Sequence, residues 1–132
     1  MSMTDAMEAE ALKLQAGLAT TIYTTTIIAP FLSIDTATMS ESGGGTEASG
    51  SAYARQGVTY GAPTGSAPTQ VANSVAVAFP VVITSGYTAA AMGQHTAVSA
   101  GSLTRWQDIV DVVLAVGDQL TLAIGAAVLT QD

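Results

Sequence analysis

The chain has 132 residues, with three Lys and Arg against ten Asp and Glu, a net charge of −7. That length suits one domain, and three cations cannot build the basic face that neutralises phosphates, which excludes a nucleic-acid partner. No cysteine and a single histidine exclude disulfides, thiolate metal sites and most imidazole sites, so no cofactor is expected.

Residues 2–16 fit a short amphipathic helix. Ser2 and Asp5 resemble a capping box, Met7, Ala11, Leu14 and Leu18 recur on one apolar face, and Gly17 is a stop signal. Two readings stand for this 1–17 arm: a helix that docks on a neighbouring subunit through Met7 and Leu14, or one that covers an end of its own domain. The acidic start does not read as a secretory signal. The uncharged stretch 14–34 contains Gln15, Gly17, five threonines and Pro30, a poor composition for a helix in hydrocarbon. A soluble protein with no membrane partner is therefore expected.

After Gly17 the β-branched residues take over, with five threonines and three isoleucines in 20–28 and a further strand at 31–35. Residues 36–51, with three consecutive glycines and four serines, read as a mobile loop. A strand follows at 53–60 and a turn-rich connection at 61–69. The alternation of Val75, Val77, Phe79, Val81 and Ile83 predicts one strand across 71–84, with Pro80 marking an edge or bulge. Residues 87–99 read as a weaker strand broken by Gly93, and 100–107 as a loop carrying Trp106. Alternating runs on either side of Gly117-Asp118 predict a tight hairpin between 110–116 and 120–124. The predicted fold is mainly β: a single β-sandwich or barrel-like domain over 18–132 with the short N-terminal helix.

Catalytic constellations fail on inventory. A Ser-His-Asp triad could use only His95, and no serine sits in a Gly-x-Ser-x-Gly elbow. Gly43-x-Gly45-x-x-Ala48 matches a loose dinucleotide pattern but runs into Ser49, Gly50 and Ser51 rather than a helix. Asp108 and Asp111 alone make at best a weak calcium site. No enzyme is expected.

The stretch GGGTEASGSAYARQGVTYGAP, residues 43–63, followed by NSVAVAFP at 73–80, resembles a family of small tailed-phage virion proteins labelled tail-fibre or minor-tail proteins, with relatives placed on heads as decoration proteins. Phe31-Leu32-Ser33-Ile34-Asp35 fits the family's early strand, and Val116-Gly117-Asp118-Gln119-Leu120-Thr121-Leu122 with Gly125-Ala126-Ala127-Val128-Leu129-Thr130 fits its C-terminal element. Between Ser85 and Asp111 the match is poor. The resemblance implies a virion structural protein without catalytic residues. The expected role is a capsid decoration protein bound to the major capsid protein. The alternatives are a tail component among tail proteins and a carbohydrate-binding module with Trp106 and Tyr87 as its stacking platform. A homo-oligomer is expected, and family analogy suggests a trimer.

Arg55 is one of only three basic side chains, and no charged residue lies between Gln56 and Thr104. Its planar fork of donors suits a carboxylate. It can clamp neighbouring subunits together through Glu47, Asp35 or a partner's carboxylate, or fold the 36–51 loop onto its own domain. Tyr53, in the same Tyr-Ala-Arg-Gln block, and Trp106, an aromatic anchor, complete the interface candidates with Met7, Leu14 and Arg55.

Overall fold

The computed structural model describes residues 2–5, 8, 9, 12, 16, 30–50, 52–65 and 69–131. Its strands are β1 (Ser2–Met3), β2 (Phe31–Asp35), β3 (Met39–Ser40), β4 (Gly43–Gly44), β5 (Gln56–Gly57), β6 (Thr69–Ala72), β7 (Val77–Ala78), β8 (Tyr87–His95), β9 (Leu103–Leu114), β10 (Thr121–Leu122) and β11 (Val128–Gln131). The principal sheet has the order β1-β9-β8-β2-β5, antiparallel at every pairing. Three two-stranded ribbons, β10–β7, β11–β6 and β3–β4, complete the described fold. The protein is mainly β, as the β-branched and alternating runs predict, but its sheets do not close into a barrel.

The core joins the principal sheet to the ribbons. Leu32 and Ile34 of β2 and Ala89 of β8 pack with Val58, Val77, Phe79 and Ala127, all buried, while Tyr53, Tyr60, Tyr87, Leu120 and Leu122 line the margin. Period two puts Leu32 and Ile34 on one face of β2 and Ser33 and Asp35 on the other. All four are buried. The strand therefore has an apolar core on one side and a covered polar face on the other, and that polar face positions the site.

Several expectations are corrected. A short N-terminal helix is not seen: Ser2–Met3 is a strand paired with Arg105–Trp106. Helical turns follow, with Glu8 N–H bonded to the Thr4 carbonyl and Ala16 N–H to the Leu12 carbonyl, but most of the stretch, including Met7 and Leu14, lies outside the described residues. The expected strand at 20–28 lies outside them as well.

The single strand across 71–84 is instead β6 and β7, interrupted where the Asn73 amide donates to the Val75 carbonyl and turns the chain. Val77, Phe79 and Val82 are buried while Val81 and Ile83 are exposed, so the inward parity flips across Pro80. Gly93 does not break its strand; β8 runs through it at the centre of the sheet. Trp106 lies on β9 rather than in a loop.

The expected hairpin around Gly117-Asp118 does not form. The Asp118 carboxylate accepts from Ala115 N–H, turning the chain out of the sheet, and β10 pairs with β7 instead of β9. Its polar groups are satisfied there, with Gly117 N–H on the Val82 carbonyl and Val82 N–H on the Asp118 carbonyl.

Candidate functional site

The site is built on the polar face of β2 and the segment that folds over it. Residues 36–50 leave the end of β2, form the β3–β4 ribbon, and return so that Glu47 stands opposite Asp35 in an antiparallel bridge. Thr36 N–H donates to the Thr46 carbonyl at 2.7 Å and Ala48 N–H to the Ile34 carbonyl at 2.9 Å. Met39 N–H reaches the Asp108 carboxylate on β9 at 3.0 Å.

Tyr53 and Arg55 lock this segment down. Alternation along an extended chain puts both side chains on one side. Arg55 grips Glu47 bidentately, Nε to Oε1 at 2.7 Å and Nη2 to Oε2 at 2.6 Å. Its Nη1 donates to the carbonyls of Ala97 at 3.0 Å and Ala100 at 2.6 Å, in the β8–β9 connection. The Tyr53 hydroxyl donates to Glu47 Oε1 at 3.0 Å and accepts from Ile34 N–H at 3.0 Å, supplying a partner to β2 beyond the point where β5 stops pairing. Its ring stacks on Phe79 with a centroid separation of 6.5 Å.

The charges respond accordingly. The Arg55 hydrogen bonds hold Glu47 below the usual carboxylate range, with Tyr53 assisting, and Arg55 is pushed up by the same pairing. Burial raises the Tyr53 phenol, so it stays a donor.

Beneath the clamp lies a second cluster. Ser33 Oγ donates to Asp35 Oδ2 at 3.0 Å and lies 3.1 Å from His95 Nε2 and 3.4 Å from the Gly93 carbonyl oxygen. Gly93 makes the room: a Cβ there would stand 2.8 Å from both Ser33 Oγ and Leu103 Cδ1. Asp35 is pushed up to about 6, chiefly by burial, with Glu47 adding and Ser33 and Arg55 opposing. Burial, with Arg55 assisting, pushes His95 down, and its Nδ1 is buried without a partner among the described residues.

Serine, histidine and aspartate thus meet, but not as a nucleophilic triad. The aspartate bonds the serine rather than His95 Nδ1, and Ser33 is fully buried, so no substrate atom reaches its hydroxyl. Among the described residues no three His, Asp or Glu side chains are placed to hold a metal ion.

The remaining candidates fall apart from this cluster. Trp106 lines a shallow groove of about 470 Å³ with Asp5, Met39, Ser40, Glu41 and Ser42, and its indole N–H is buried without a partner among the described residues. Trp106 pairs with Gly93 and Tyr87 with Leu114, six positions apart along β8. At about 3.3 Å per residue that separation precludes a shared stacking platform. Met7 and Leu14 lie outside the described residues.

Residues 2–130 match the family model described as Podophage GP4 fiber I protein gp80. The chain belongs to this family. No curated protein matches it. The gp80 fiber family is a family of phage structural proteins, and the match places the chain among small virion, tail-fibre-like proteins. In this gp80-family chain the Tyr-Ala-Arg-Gln block serves as an internal clamp, with Arg55 and Tyr53 both meeting Glu47 of the same chain. Sequence reading missed Ser33 and His95 as a pair. The available signal was Ser-x-Asp alternating with Leu-x-Ile in a short strand, a pattern that buries polar groups when both faces are covered.

Proposed function

We propose that the protein is a non-catalytic subunit of a podophage tail fibre, working by contact with copies of itself and with neighbouring tail proteins. The family match over residues 2–130 carries this reading, because its description names a fibre protein and not a head protein. The tail alternative therefore takes precedence over the capsid decoration role. The surface supports an assembly role as well. On β9, Val110 is 88% and Val113 75% exposed, and Ile83, Val116 and Ile124 are exposed aliphatics too. Val110 and Val113, three positions apart on one strand, are the exposed aliphatics that best suit a contact surface.

Mass spectrometry and cryo-EM of intact virions and of purified tailless heads test the placement. The expected result is density and peptide signal in the tail and neither in tailless heads. Abundant copies on tailless heads would overturn the tail reading and restore the decoration role.

A further inference from the structure

We propose that Asp35, Ser33 and His95 form a proton-operated latch, which holds the 36–50 segment on the sheet when the Asp35 carboxyl is protonated and loosens it when that carboxyl ionises. Asp35 ends β2 and opens the segment, so its side chain sits at the root of everything the segment does. The segment's backbone lies directly over it: a Cβ at Gly45 would stand 3.1 Å from Asp35 Oδ1. Across the bridge stands the Glu47 carboxylate.

Two acids thus share one guanidinium, and the geometry assigns it. Arg55 spends Nε and Nη2 on Glu47 and Nη1 on two carbonyls, which leaves the Asp35 carboxylate to the Ser33 hydroxyl. The other ionisable groups around the cluster do not compensate. Tyr53, in the segment leading into β5, stays neutral and bonded to Glu47, and Asp108 on β9 adds a further acid bonded to Met39 N–H. Burial, with Arg55 assisting and Glu47 opposing, pushes His95 on β8 down, which disfavours a compensating positive charge there.

The Ser33 hydroxyl lets the cluster accept either state. His95 carries its proton on Nε2 and donates to Ser33 Oγ, since an N–H on the unpartnered Nδ1 would be a buried orphan donor. With Asp35 ionised, Ser33 donates to it. With Asp35 protonated, the acid donates to Ser33 Oγ and the serine turns its hydrogen to the Gly93 carbonyl. The proton comes from and returns to water. The Ser33 contacts serve both states, while the repulsion between Asp35 and Glu47 appears or vanishes and acts on the segment that carries Glu47.

Hydrogen exchange at single amides of the full-length protein tests this. After correction for intrinsic rates, protection of Thr36 and Ala48 falls about tenfold between pH 5 and pH 7.5, the factor expected of one pK unit of coupling. Protection of Phe79, bonded to Leu120 on the far side of the core, stays constant. In Asp35→Asn the Thr36 and Ala48 amides lose their pH dependence. Flat protection in the natural chain, an unchanged response in Asp35→Asn, or an equal fall at Phe79 overturns the latch. Should Asp35→Asn not fold, carbon-detected titration of the Asp35 carboxyl in the natural chain decides: its midpoint must coincide with that of the two amides, and a separate midpoint overturns the proposal.

Discussion

At the scale of single residues, buried polar groups carry more of this fold than its aliphatic content suggests. Asn73 is almost fully buried; its amide donates to the carbonyls of Val75 and Ala123, and its Oδ1 accepts from Ala127 N–H. Asn73→Ala leaves those three groups unsatisfied, at about 1–3 kcal/mol for each buried orphan. A loss of about 3 kcal/mol in chemical denaturation is expected, with the 123–127 loop exchanging first. Asp35 acts in the opposite sense. Its folded value of about 6 lies above the ordinary 3.8, so the folded state binds the proton more tightly and its contribution is lost as pH rises from about 4 through 6. His95, pushed down, contributes stability that is lost as pH falls below its ordinary 6.5. Comparing Asp35→Asn with the natural chain isolates the acid: the variant gains about 1–3 kcal/mol relative to it between pH 4 and pH 7, read from urea midpoints. Leu32 and Ile34 were legible as core from alternation alone. Ser33 and His95 were not, because their meeting depends on β2–β8 register, which a single sequence leaves open.

At the scale of elements, the pairing of β8 with β9 holds the most informative irregularity. Ala89 pairs with Val112 and Ala91 with Asp108, so Ile109, Val110 and Asp111 stand against Ala90 alone. The extra residues bow outward and lift Val110 to the crest of the bulge. Beyond Trp106 no described strand pairs with that edge of β9. A hydrophobe presented this way makes little contact within its own chain. Val110→Asp should change stability by less than about 0.5 kcal/mol while reducing the self-associated fraction, as followed by light scattering and melting temperature together. Alternation marked the segment as β but misjudged its partner. The Gly-Asp dipeptide makes a turn, yet nothing in it specifies that the outgoing strand joins β7. The N-terminal pattern misjudged the start of the chain: Ser2 and Asp5 resemble a helix cap, while Ser2–Met3 answers to the open edge of β9, far away in sequence.

At the scale of the whole molecule, the sheet order β1-β9-β8-β2-β5 assembles strands from both ends and the middle of the chain. Such pairings close large loops before they contribute, which makes folding slow relative to helical proteins of this size. Mainly β character was readable from the β-branched runs and the alternation along the chain. The division into one sheet and three ribbons was not, because ribbon strands of two to four residues carry too little period to read.

Arg55 has a kinetic consequence in this setting. Its four bonds join residues 8, 42 and 45 positions away, and the full set can form only after the 36–50 segment and the β8–β9 connection are both in place. The guanidinium is therefore expected to close last. Contacts absent from the transition state leave the folding rate nearly unchanged and govern how long the native state survives. Arg55→Ala should unfold markedly faster in stopped-flow denaturant jumps, with an equilibrium loss of about 2–3 kcal/mol. Arg55→Lys, a point charge without the planar fork, should recover less than half of that loss. A particle that waits outside a cell for a host depends on the lifetime of its proteins more than on the speed with which they folded, and in this chain Arg55→Ala is expected to shorten that lifetime.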